Sequence, residues 1–126
     1  MIHTMRSAHS PSEIEQRLRD AAARHKFGVL HVHDLKQTLH SKGIEIEPEC
    51  LVFDVCNPQA ASMALRHDMS VSTVLPCRIS VYGNATGSTI ATVMPTDLLG
   101  ATGLDGVDEL AGEVQREILA IIGETA

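Results

Sequence analysis

The stretch Cys50-Leu51-Val52-Phe53-Asp54-Val55-Cys56-Asn57-Pro58 decides how the rest of the chain is read. Its run from Cys50 to Cys56 is rich in residues that suit a pleated, buried surface, so it predicts a strand. Asn57 is a favoured N-cap and Pro58 a favoured first helical residue, so the strand passes directly into a helix expected to reach about His67. Ala60, Ala61, Met63, Ala64 and Leu65 make that helix rich in small residues, able to pack closely against a sheet. A thiol, Cys56, stands at the junction.

Upstream, residues 2–8 alternate weakly and predict a first, edge-like strand. Ser10-Pro11-Ser12-Glu13 has the form of a capping box with proline at the first helical position, and Ile14, Leu18, Ala21 and Ala22 carry an apolar face to about Arg24. Phe27–His33 reads as a short strand, and Asp34 with Gln37 as the cap of a two-turn helix. Leu35 and Leu39 of that helix read as inward-facing, and Gly43 as its stop. Downstream, Asp68–Pro76 forms a long connector. Cys77–Tyr82 and Ser88–Met94, separated by Gly83–Gly87, predict a hairpin with Cys77, Ile79 and Val81 inward and Arg78, Ser80 and Tyr82 on the other face. The segment from Pro95 to Leu104 reads as loop with a short turn. Val107, Leu110, Val114, Ile118 and Ile121 predict a last helix ended by Gly123.

The order β-α-β-α-β-α-β-β-α predicts an α+β fold: a single mixed β-sheet with helices packed mainly on one face. At 126 residues the chain predicts one domain, residues 1–126. A hydrophobic fraction of 44% places it among globular chains, and only 2% aromatic residues means an aliphatic core. Scarce aromatics and a net charge of −6 argue against nucleic acid as a partner. No run of ~18 apolar residues predicts a membrane span, and no secretory leader is recognisable. With that, an odd count of 3 cysteines predicts reduced thiols and a cytoplasmic location.

Four pieces read together carry a resemblance: Phe27-Gly28-Val29-Leu30, Asp34-Leu35-Lys36-Gln37-Thr38-Leu39, Cys56-Asn57-Pro58 with Ala60, and Leu75-Pro76-Cys77 leading into Val81-Tyr82. Over about residues 12–122 the chain resembles the domain-of-unknown-function 302 family. The resemblance implies a single α+β domain forming symmetric homodimers, and it implies no established activity or cofactor. By position, the motif residues it carries over are Asp34, Lys36, Cys56, Asn57, Pro58, Pro76 and Cys77. The chain departs from the usual pattern at His31 and His33, so any role there is particular to this protein.

Three chemistries compete for these residues. A ligand site near Cys56, Asn57, Pro58 and Cys77, with Asp34 and Lys36 from the family motif, would make the chain a small-ligand or partner binding module. An anionic or sulfur-containing ligand would suit the positive end of a helix dipole. Alternatively, Cys56 at that helix start is a low-pKa thiol and Cys77 its resolving partner in redox chemistry. Against both stands the plain reading, in which Asn57 and Pro58 cap a helix and the cysteines fill core space. His31 and His33, two apart on one strand, can present two imidazoles to a metal ion, with His40 or Asp34 to complete a site, though no established metal spacing is present. His3, His9, His25 and His67 read as surface or terminal residues. No phosphate loop, dinucleotide fingerprint or nucleophile elbow occurs.

Overall fold

The junction at Asn57 forms as the sequence predicts. In the computed structural model, which describes residues 1–126, strand β3 covers Cys50–Cys56 and helix α3 covers Pro58–His67. The Asn57 side-chain oxygen accepts from the amides of Gln59 (3.0 Å) and Ala60 (3.1 Å), closing the helix start. Before them come β1 (Ile2–Ser7), α1 (Pro11–Arg24), β2 (Gly28–Asp34) and α2 (Leu35–His40). After them come a 3₁₀ helix (Met69–Val74), β4 (Cys77–Asn84), β5 (Gly87–Val93), α4 (Pro95–Gly100) and α5 (Asp108–Thr125). Ser10 completes its capping box with Glu13, and Asp34 accepts from the Gln37 amide at 3.0 Å.

The strands form one sheet in the order β1-β5-β4-β3-β2, giving the α+β architecture expected. Every pairing is antiparallel, so the sheet is not mixed. The reason lies between α3 and β4. The 3₁₀ helix turns the chain back to the end where β3 finishes, so β4 starts opposite Val55 and runs back until Tyr82 faces Cys50. Leu51, Phe53 and Val55 of β3 then share a face with Ile79 and Val81 of β4 and Ile90 of β5. That face packs on Ile14, Leu18, Ala21 and Ala22 of α1 and on Ile118, Ile121 and Ile122 of α5. Large apolar side chains removed from water on both layers supply the main driving force for this arrangement. The other face of the sheet is left largely open, with Ile2, Arg78, Tyr82 and Val93 exposed.

Several local readings change. The weakly marked first strand is present and pairs along its length with β5. Its end abuts Gly87 (φ +142°), where a Cβ would lie 2.3 Å from the Ser7 carbonyl oxygen, so only glycine fits. The hairpin turn shortens to Ala85-Thr86, because Asn84 pairs with Gly87. Leu35 and Leu39 do not reach the core: α2 follows an edge strand and buries no residue. Pro95–Gly100 is a short helix, because Pro95 serves as a first helical residue as well as a strand stop. Gly123 does not end α5, since Arg17 Nε donates to the Thr125 carbonyl at 2.8 Å and draws the last turn onto α1. His25 is no idle surface residue: at the end of α1 it contacts both Glu117 and Glu124 of α5.

Candidate functional site

Where β3 ends and β4 begins, the sheet meets α3, the 3₁₀ helix, α4 and the first half of α5, and the elements leave a cavity of about 490 Å³. Of its 23 lining residues 16 are hydrophobic, so the space favours apolar groups. Helix α3 is the cause of the gap. It presents Ala60, Ala61 and Ala64 where larger side chains would close it, and only Ala64 is buried. The alanines that suggested close packing against the sheet therefore line a hollow at its end. A second small core of Ala64, Val71 and Val107 holds α3, the 3₁₀ helix and α5 together behind it.

Cys56, Asn57 and Cys77 all lie in the cavity wall, whereas Pro58 does not. Cys77 pairs across the ladder with Val55, so it leaves the sheet on the core side with Ile79. Cys56, one residue beyond Val55, projects from the opposite side of its strand. All three cysteines are free, and Cys50 sits at the far end of β3. Burial raises the pKa of the Cys56 thiol. Burial, and secondarily the nearby Cys56 charge, pushes Cys77 up to about 11. This direction is opposite to that of an activated thiolate. Asn57 explains why the helix start does not reverse it: the amides of Gln59 and Ala60, which could have donated to a sulfur anion, already donate to its side chain.

Asp34 and Lys36 lie elsewhere. Asp34 pairs with Leu51, while Gly28 at the other end of β2 pairs with Cys56, so the length of the sheet separates them from the cavity. Asp34 caps α2, and Lys36 Nζ donates to the Glu47 carbonyl at 2.9 Å beside a shallow polar groove. His31 and His33 do come together. An irregularity in β2 after Val29 sets Leu30 out of register, and His31 and His33 then share the open face with rings 4.4 Å apart, edge to face. His33 Nε2 lies 2.8 Å from Asp54 Oδ2, but no third histidine, cysteine or carboxylate completes a metal-binding group. His40 is engaged with Glu45.

Two further residues, not singled out by sequence, belong to the site's surroundings. Asp54 and Arg78 are cross-strand partners on the open face, and Arg78 also lines the cavity. The alternation of the two strands carried that signal, because residues opposite Phe53 and Ile79 point inward and their neighbours must point out.

Fold and site define a small α+β domain, one antiparallel sheet backed by two helices with an apolar cavity at one end. The model of the family described as Domain of unknown function DUF302 matches residues 3–125, and the chain belongs to that family. A crystal structure of an uncharacterised conserved protein DUF302 from Bacillus stearothermophilus is similar at a TM-score of 0.93 and 26% identity, covering 99% of this chain and 98% of that one. No functionally curated protein matches. No helix is long and apolar enough to cross a membrane.

Proposed function

We propose that this protein is a binding module for a small, largely apolar molecule, held in the cavity beside Cys56, Asn57 and Cys77. The observation that carries this is the cavity itself: about 490 Å³ lined mostly by apolar side chains, in the size range of small-molecule sites. The cysteines serve as soft, polarisable wall. Redox exchange through Cys56 and Cys77 gains no support from thiols whose pKa values burial raises. Titrating the protein with 1-decanol under NMR observation tests the proposal. Shifts should concentrate in α3, the 3₁₀ helix, α4 and the start of α5. Ala61→Phe, which fills the space, should weaken binding about tenfold or more while keeping the fold. Undiminished binding by that variant would sink the proposal.

We further propose a homodimer as the working unit, the assembly that the family resemblance implies, in a reducing, cytosolic setting that free thiols at all three cysteines would fit. Sedimentation across micromolar concentrations tests the first: a lone species at the chain mass of 13.6 kDa would refute it.

A further inference from the structure

We propose that the cavity takes an amphipathic monoanion, an apolar body ending in a carboxylate, and that Arg78 binds the charged end. This rests on the apolar-ligand reading above and names its ligand class. Among the 23 lining residues Arg78 is the one that carries a charge, and no acidic side chain stands in the wall to repel an anion. Its side chain is 69% exposed, so the guanidinium stays in water rather than in the apolar interior.

The guanidinium is steered but not consumed. Its ionic partner is Asp54, whose Oδ1 lies 3.5 Å from Arg78 Nε, and that oxygen remains without a hydrogen bond. The other Asp54 oxygen is engaged by His33 Nε2 at 2.8 Å, which fixes a carboxylate only 13% exposed. A contact through Nε leaves the Nη1–Nη2 edge of the planar guanidinium for a second carboxylate, the two-pronged geometry in which arginine binds best. The helix start offers no rival anion site, because the Gln59 and Ala60 amides are already capped by Asn57. Apolar walls therefore select size and shape, and Arg78 distinguishes an acid from the corresponding alcohol.

Paired titrations with decanoate and 1-decanol at neutral pH, on wild type and on Arg78→Met, test this. Arg78→Met should weaken decanoate about tenfold and leave 1-decanol within about twofold. Arg78→Lys should recover part of the loss, and Asp54→Asn, which removes a competing carboxylate, should strengthen decanoate. Equal losses for both compounds in Arg78→Met would mean that the stem merely packs, and no loss would mean that the charge is idle; either overturns the inference while leaving the cavity reading intact. Failure of wild type to bind either compound would overturn both.

Discussion

Cys56 stands at a helix start, where peptide dipoles favour a thiolate, yet partial burial raises its pKa, and Asn57 has already taken the nearest amides. Iodoacetamide alkylation should consequently be slow at neutral pH and still accelerating past the ordinary thiol value of 9.0, with Cys77 slower again in line with its pKa of about 11. Mass spectrometry of timed samples measures both sites, and a rate plateau reached near neutrality would show an activated thiolate instead. His25 makes the opposite case, a residue whose charge is welcomed. Hydrogen bonds to Glu124, then to Glu117, raise its pKa above 6.5, while His25 and then Arg24 lower that of Glu124 below 4.5. A raised histidine pKa stabilises the fold fully below 6.5 and loses that contribution as pH climbs through the folded value; the lowered Glu124 contributes above 4.5 and loses it as pH falls through its own. The difference in Tm between wild type and His25→Gln should therefore be widest near pH ~5–6 and shrink on the alkaline side, though exposure and salt keep it small. An equal difference at pH ~9 would remove the linkage.

Helix caps carry their information locally, which is why Ser10, Asp34 and Asn57 could be read from sequence and form as read. Asn57→Ala should cost about 1 kcal/mol in urea unfolding, and Asn57→Asp, which keeps the accepting oxygen, should cost much less. Equal costs would show that packing of Asn57 in the cavity wall matters more than its cap. The alternation of Leu51, Phe53 and Val55 was legible for the same reason, since a period of two fixes a face without reference to any other element. Strand direction was not legible, because it hangs on where the 3₁₀ helix delivers Cys77, and a nine-residue connector can reach either end of β3. Gly123 misled because helix-stop chemistry is weak beside a tertiary anchor, here Arg17 on the Thr125 carbonyl. The cavity was half-written in sequence. Ala60, Ala61 and Ala64 announce small side chains, but whether small means tight packing or empty space depends on what stands opposite, and Leu99, Leu110 and Val114 arrive from elements 35–54 residues away.

Across the molecule, apolar burial is divided unequally. Fourteen buried residues join the sheet to α1 and α5, whereas Ala64, Val71 and Val107 alone form the second cluster, under α3 and the 3₁₀ helix. The cavity lies between the two, so atoms lining it lack partners on one side and forfeit dispersion contacts. Such a division makes two tiers of stability: the small cluster can open while the sheet and its two long helices stay closed. Native-state hydrogen exchange should find amides of α3 and α4 exchanging through a lower-energy opening than those of β3, β4 and the second half of α5. Val71→Ala, whose contacts are lost in either opening, should lower both tiers by a similar amount. Phe53→Ala, at the centre of the large core that stays closed during the smaller opening, should lower only the stronger tier, by about 3–5 kcal/mol. A molecule that fills the cavity restores the missing contacts and binds the closed form alone, so it should raise protection in both tiers by the same amount, one that grows with its concentration. Uniform exchange through a single opening would mean that the cavity is as rigid as the core. Ligand would then enter without loosening α3, and the alanine face of that helix would be a fixed wall rather than a door.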